Sequence, residues 1–296
     1  MSLDLICAGR IYADLVFAGL DAPPVPGREV FAAALTLVPG GGPFITGSYA
    51  AALGLRVALW GIAPAAPFDA CVLAGLKRNR VADMTGKPPP GTDPQVTAAL
   101  TGNGDRSFVT RRAGPVRPQG ALPKARHLHI GEMTSALEMP GLIGEARARG
   151  MTVSLDCGWD GAMFGDPRVP GVIASVDVFL PNEDEAAALL AAGVTAMPRA
   201  VRVTKTGEAG ARAQGADGSS VAMPGERAQV LDTTGAGDAF NAGFLAAWLA
   251  GRPMRECLGL GNRCGALAVA RIGGAEDLPD LSGLMAGHPA PSGLAG

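Results

Sequence analysis

Asp238 is the residue whose type and setting most clearly suggest chemistry. It lies in the segment DTTGAGDAF, residues 232–240, which follows an extended run at 228–231 and opens a long apolar helix. A helix start presents unpaired backbone N–H groups and the positive end of the helix dipole. The turn Gly235, Ala236, Gly237 keeps bulky side chains away from those N–H groups, so an anion can come close. A carboxylate beside such a cradle repels the anion unless it has a task there. As a base, Asp238 would take a proton from an attacking hydroxyl while the amides hold charge developing on a phosphoryl group. The plainer alternative is an ordinary helix start, with Thr233 or Thr234 as N-cap and Asp238 as a first-turn acid.

Other candidates are spread along the chain. In PNEDEAAALL, residues 181–190, Asn182 and Glu185 stand three apart where a strand hands over to a helix. That is the spacing of a capping box, and equally of a pair of oxygen ligands. VRVTKTGEAGA, residues 201–211, reads as strand, turn and return strand, with Lys205, Thr206 and Gly207 at the turn. On local grounds Lys205 is an exposed hairpin lysine. Asp14 follows the first strand in GRIYADLVF, where an acid is either a turn residue or an acceptor for hydroxyls. Gly40, Gly41 and Gly42 open GGGPFITGSYAAALG, residues 40–54, and let the backbone approach a ligand or simply turn. His127, His129 and His288 lack metal-ligand spacing, and His129 reads as a core or pocket-edge residue. There is no Walker A pattern, no G-x-S-x-G, and AGRIYAD stands where a dinucleotide fingerprint would follow the first strand.

The elements that must position these groups alternate in an α/β rhythm, which implies a mostly parallel sheet. Strands are expected at 3–8, 56–60, 127–130, 152–156, 176–180 and 200–204, and helices at 45–53, 68–79, 140–149, 183–191, 237–250 and 254–270. Residues 11–38 and 93–113 break the rhythm with alternating polar and apolar positions and are expected to form an antiparallel accessory sheet or lid. Pro/Gly-rich stretches at 21–27 and 86–94 read as turns, because composition is the same on both sides. The tail from about Ser282 is expected to fray.

Composition narrows the function classes. The chain has 296 residues, 48% hydrophobic and 18% charged, enough to bury a real core and too apolar for a disordered chain. Its 43 glycines and 24 prolines exceed the roughly 12% usual for these two residues, without a collagen period. A formal charge of −2 argues against a nucleic-acid surface. No apolar run reaches the roughly 18–20 residues of a membrane span. Five scattered cysteines without a C-x-x-C pair suggest neither a disulfide framework nor a zinc site, and a cytoplasmic location is expected.

The segment DTTGAGDAF resembles the C-terminal signature of the ribokinase-like (PfkB) carbohydrate kinases, and the order of the other features is similar over roughly residues 3–274. The resemblance implies one ribokinase-like kinase domain over residues 1–296: a three-layer α/β sandwich on a mostly parallel central sheet, with the small antiparallel β lid inserted. It implies Asp238 as catalytic base and Gly235, Ala236 and Gly237 as the anion hole. Asp14 and Gly40–Gly42 would bind the sugar. Asn182 and Glu185 would hold Mg²⁺ through water. Lys205, Thr206, Gly207 and Asn262 would contact ATP. Asp232 and Thr234, with carbonyls near 272–274, would form a site for a monovalent cation such as K⁺. Two departures bear on the substrate. Ile45 stands where the family usually has Asn, with Thr46 as a possible substitute, and GIAPAAP (61–67) replaces an acidic turn.

The expected activity is ATP-dependent phosphorylation of a hydroxyl, a primary alcohol, on a small sugar or sugar derivative. A nucleoside or phosphosugar acceptor is an alternative within the family, the latter needing extra cations from Arg10, Arg111 or Arg112. A catalytically silent sugar- or nucleotide-binding homologue is the alternative outside it. No nucleic-acid or membrane partner is expected. The apolar lid residues Val30, Leu35 and Leu37 suggest a homodimer.

Overall fold

The computed structural model describes residues 2–102, 105–271 and 273–286. The chain begins with β1 (Leu3–Ala8), then leaves the body for β2 (Tyr12–Leu20) and β3 (Ala32–Gly40). It returns through α1 (Gly42–Ala52), β4 (Val57–Trp60), α2 (Asp69–Arg78) and β5 (Ala82–Asp83). A second excursion forms β6 (Val96–Gly102) and β7 (Asp105–Arg111). The remainder is β8 (Ala125–Ile130), α3 (Met133–Glu138), α4 (Leu142–Ala148), β9 (Thr152–Asp156), α5 (Val169–Ser175), β10 (Val178–Leu180) and α6 (Glu183–Ala191). It continues with β11 (Val201–Lys205), β12 (Ala211–Gly215), β13 (Ser220–Met223), α7 (Ala236–Leu249) and α8 (Met254–Val269).

Nine strands form the main sheet in the order β13-β12-β11-β10-β9-β8-β1-β4-β5, parallel from β11 to β5 and antiparallel at β11–β12–β13. Parallel strands are covered on both faces, so they read as continuous apolar runs. In β1, Ile6 and Ala8 join a core with α3–α6, while Leu5 and Cys7 join one with α1, α2 and α7. That is the three-layer sandwich. α7 is apolar all round, with Phe240, Phe244, Leu245 and Ala247 buried, because it lies beneath both α1 and α8.

Several boundaries differ from expectation for identifiable reasons. α1 starts at Gly42, three residues early, because Pro43 suits the first helical turn. The helix expected at 140–149 is α4, which starts two residues late behind Gly141, at φ 85°, while the short helix α3 before Pro140 was not expected. The extended run at 228–231 joins no strand; Leu231 N and Asp232 N both donate to the Val269 carbonyl at the end of α8.

The lid is a four-stranded sheet in the order β3-β2-β6-β7. Its β2–β3 and β6–β7 pairs are antiparallel, and its central β2–β6 pair is parallel, since both of those strands leave the body in the same direction. Asp14 lies opposite Val38 and Thr97 on the face turned to the body. Leu15, Leu37, Ala98 and Val109 share the other face with Phe17, Leu35 and Leu100.

Close approach of α7 to α8 depends on small residues. A Cβ on Gly243 would lie 2.5 Å from the Leu260 carbonyl oxygen and 2.8 Å from Cys264 Sγ. Gly243→Val is therefore expected to cost about 1–3 kcal/mol in urea unfolding, since α8 backbone cannot yield like a side-chain tip.

Candidate active site

The carboxyl ends of the parallel strands, where open α/β sheets bind ligands, gather the charged residues of the chain. β9 ends in Asp156 and β11 in Lys205, and Glu132 follows β8. Lys205 Nζ donates to both Asp156 oxygens, at 2.9 and 3.0 Å, and lies 3.3 Å from Asn241 Oδ1 on α7. Asn241 Nδ2 also donates to Asp156 Oδ2, at 2.5 Å. Lys205 is 11% exposed and Asp156 10%, so this is an interior ion pair. Lys205 is therefore no exposed hairpin lysine, and its ammonium is committed to Asp156. Burial pulls its pKa down, but the Asp156 and Glu185 carboxylates outweigh that and raise it.

Above this pair stands the start of α7. Gly235 is its N-cap in the left-handed conformation (φ 72°, ψ 6°), and no side chain caps the helix. The ordinary reading, with a threonine N-cap, does not hold. A Cβ on Gly237 would sit 3.4 Å from Lys205 Nζ, so the cradle and the lysine adjoin. Asp238 occupies the first turn; its Oδ1 is 2.8 Å from where a Cβ on Gly42 would be. Burial, then the Asp156 charge and, less strongly, Glu185 and Glu132 push the Asp238 carboxyl up to about 7, against the pull of Lys205.

Glu185 belongs to the same cluster. Its backbone N–H donates to Asn182 Oδ1 and its Oε2 accepts from Asn182 N, both at 2.8 Å, so the capping box is real. Burial and then Asp156 raise its pKa to about 7. One lysine among Asp156, Glu185, Asp238 and Glu132 leaves an excess of negative charge that a divalent cation would relieve. Among the described residues no group of three His, Cys, Asp or Glu side chains could grip a metal directly. Carboxylate oxygens of this kind are the donors Mg²⁺ prefers, and Mg²⁺ commonly keeps several of its own waters.

The lid supplies the opposite wall. Asp14 lies over Gly40, where a Cβ would fall 2.1–2.3 Å from its carboxyl atoms. Its buried Oδ1 has no hydrogen-bond partner. Burial raises its pKa to about 7, opposed by a hydrogen bond from Thr97 and assisted by the charge of Glu276. An unpaired buried acceptor on a cleft wall is costly without a ligand, and a sugar hydroxyl would satisfy it. Gly41, at φ 95°, is the N-cap of α1. Gly42 abuts Asp238 and the Gly131 carbonyl.

Other expected residues hold different posts. Thr46 is buried and its hydroxyl donates to the Asp238 carbonyl at 3.2 Å, so it steadies the start of α7 and is not free to replace a substrate amide. Ile45 is 4% exposed and packs between Gly235 and Gly274. Asn262 spends its amide donors on the Met223 and Pro224 carbonyls at 3.2 and 2.9 Å, tying α8 to the end of β13. Thr206 and Gly207 lie at the sheet's open end, and Gly207 is exposed with φ 58°. Asp232 accepts from Thr234 N and Oγ1 (2.8 and 2.7 Å) and from Gly273 N (3.0 Å), which makes it first a tie between two loops. Ile272 and His288 lie outside the described residues.

The spare arginines are also engaged. Arg10 is buried against Glu138, Gln95 and two carbonyls, Arg111 pairs with Asp93, and Arg112 with Asp160 at 2.9 Å. His129 is fully buried and neutral, its pKa brought down to about 4 by burial; Nδ1 meets Ser154 Oγ at 2.8 Å and Nε2 has no partner. Sequence reasoning missed Asp156, Asn241 and Glu132. The available signals were an acid at the last position of a parallel strand, and an Asn three residues beyond Asp238 on one helix face.

A model of the pfkB family carbohydrate kinase matches residues 3–281, and the chain belongs to that family of alcohol phosphotransferases. An ATP-dependent ribose-1-phosphate kinase of Halopiger xanaduensis is 38% identical over 171 residues, 56% of this chain and 56% of that protein, so the match spans little more than half of either. A ribokinase of Bacillus subtilis is 25% identical over 300 residues, 93% of this chain and 96% of its own. Among solved structures, ribokinase of Arabidopsis thaliana complexed with ribose and ATP has a TM-score of 0.80 at 19% identity, covering 97% of this chain and 98% of that one, a likeness of fold.

Removing one partner of the interior pair leaves the other charge stranded. Lys205→Met is expected to lose about 3–5 kcal/mol in urea unfolding, and adding Asp156→Asn to recover part of that loss.

Proposed function

We propose that this chain phosphorylates a hydroxyl, a primary alcohol, of a small sugar with ATP as donor. The observation that carries the reading is Asp238: a carboxyl held near neutrality in the first turn of an uncapped helix, facing the glycine wall next to Asp14. A base with a pKa near the working pH both exists as carboxylate and can accept a proton. The sugar lies between Asp14 and Asp238, its hydroxyls on the Asp14 carboxylate and the exposed backbone of Gly40–Gly42. Asp238 takes the proton of the attacking hydroxyl, and the amides of the Gly235–Gly237 turn receive the charge of the transferring phosphoryl. Thr46 and Lys205 hold Asp238 and the cradle in register. Thr206 and Gly207 offer an accessible edge to the nucleotide. Mg²⁺, held through water by Asn182 and Glu185, would neutralise phosphate charge. Positioning and electrostatics of this kind supply most of the rate in phosphoryl transfer, and the lid keeps water from competing as acceptor.

A phosphosugar acceptor is the second reading, favoured by the ribose-1-phosphate kinase relative. The arginine count weighs against it. Arg10 has no donor left, and Arg111 and Arg112 are each paired with an aspartate, so a second phosphate would have to draw Arg112 from Asp160. The silent-homologue alternative leaves the tuned carboxyl of Asp238 without a use.

ADP formation against a panel of pentoses, hexoses and sugar phosphates tests the reading. Asp238→Ala is expected to lose about 10²–10⁴-fold in kcat. In the wild type, kcat/KM should rise about tenfold or more per pH unit below about 7 and level above it, as Asp238 and the sugar-binding Asp14 deprotonate. Comparable turnover in the variant, or a flat profile, would remove Asp238 from the role.

The outer lid face supports a further part of the reading, a homodimer. Leu35, Leu37 and Val109 are exposed on it, and Phe17, Val30, Phe31 and Leu100 line an adjoining hollow of about 550 Å³. An apolar face of this kind calls for cover, and a two-fold contact with a second copy is the commonest solution. Sedimentation should give a dimer mass that Leu35→Asp lowers to a monomer; a monomeric wild type overturns the assignment.

A further inference from the structure

The body and the lid are joined by four crossings of the chain: after β1, after β3, before β6 and after β7. All four meet at Arg10. Arg10 itself lies on the first. At the second, Gly41 packs on it so closely that a Cβ there would be 2.7 Å from the Arg10 carbonyl oxygen. At the third, Arg10 Nη1 donates to Gln95 Oε1 at 2.6 Å. At the fourth, Nη1 and Nη2 donate to the carbonyls of Ala113 and Gly114 at 3.1 and 3.2 Å. Glu138 at the end of α3 accepts from Nε and Nη2 at 3.0 and 2.9 Å. Those five bonds equal the five N–H donors of a guanidinium. Gln95 carries the tie onward by donating Nε2 to the Ile62 carbonyl at 3.3 Å.

A residue 5% exposed with every donor spent binds no ligand, yet its place bears on the reaction. The two carboxylates that would handle the acceptor belong to different bodies: Asp14 to the lid, Asp238 to α7. The distance between them is set at the joint. Ala13 N donates to the Gln95 carbonyl at 3.1 Å, and the β2–β6 register places Asp14 opposite Thr97 two residues further on. A shift of Gln95 therefore moves the floor beneath Asp14.

We propose that Arg10 is a positioning residue for phosphoryl transfer, its guanidinium fixing the base of the lid and hence Asp14 relative to Asp238. The task needs a planar fork with five donors in set directions. A lysine ammonium supplies three on a flexible stem and cannot reach a carboxylate, an amide and two carbonyls together. Near-attack geometry is sensitive to shifts of about 1 Å, which can cost about 10²-fold in rate. The lid is then a wall whose root is rigid, with freedom left to its outer strands.

This inference rests on the sugar kinase reading, and the test separates the two. Arg10→Met is compared with wild type, with Arg10→Lys as the milder variant should Met fail to fold. Four quantities are read: KM for the preferred sugar, KM for ATP, the ratio of ATP hydrolysed to sugar phosphorylated, and amide hydrogen exchange in β6 and β7 against the main sheet. The expected result is a sugar KM raised about tenfold or more, a raised hydrolysis ratio, an unchanged KM for ATP, and faster exchange confined to the lid. A general loss of stability would instead speed exchange across the main sheet and leave KM and the ratio alone. Faster lid exchange with wild-type KM and ratio overturns the role in transfer. Wild-type exchange in the lid overturns the anchor itself, a readout that stands even if no sugar proves to be a substrate.

Discussion

Three acidic side chains, Asp156, Glu185 and Asp238, converge on one lysine at the open end of the sheet, with Glu132 close to Asp238, and the local structure is arranged to tolerate that excess of charge. Buried like charges repel and are poorly solvated, so the native state holds them only where something offsets the cost. Lys205 offsets one, pairing with Asp156 over 49 residues of sequence. Asn182 N–H and the capping box take part of the charge of Glu185. Asp238 rests in the first turn of α7, where the helix dipole favours a negative group. What is left is a carboxyl shifted into the neutral range and a net negative pocket, the conditions in which a base and a hydrated divalent cation are both at home.

The glycines follow from the same constraint. Side chains at Gly40 and Gly42 would fall on Asp14 and Asp238, so these positions are empty because charged groups already fill the space. Gly235 is different: its left-handed backbone starts α7 without a side-chain cap, and its missing Cβ makes room for Ile45. The chain's large glycine content thus has two sources. A few glycines are required by charge or backbone conformation at the site, and many, such as Gly91 or Gly150, sit at open turns with nothing near them.

How far the sequence could be read depended on how local each feature is. The strand–helix rhythm, the capping box at Asn182 and the helix start at Gly235 are written in neighbouring residues and could be recognised there. Lys205 could not be placed from its neighbours, because its partner Asp156 and the helix residue Asn241 come from distant segments. Arg10 was equally opaque: Gln95, Ala113 and Glu138 are 85 to 128 residues away. A substitution read in isolation also misled. Thr46 seemed able to stand in for a missing amide, but helix geometry turns its hydroxyl to the Asp238 carbonyl. Interior polar residues acquire their meaning from tertiary partners, and a strand-end acid or a polar residue on the same helix face as Asp238 is a faint local hint of them.

Ile45 shows how a change that costs one contact can strengthen another. A polar amide at this buried place would need hydrogen-bond partners, whereas the isoleucine packs against Gly235 and Gly274 with apolar contact. The Gly235–Gly237 turn is thereby braced by Ile45, by the bond that Asp232 accepts from Gly273 N, and by Thr46 on the Asp238 carbonyl. On the proposed reading, recognition of the acceptor would then fall more heavily on Asp14, whose buried Oδ1 has no hydrogen-bond partner. On the proposed sugar kinase reading, the fidelity of the site would rest on how firmly the lid holds Asp14 in place, and so on the joint between the two sheets.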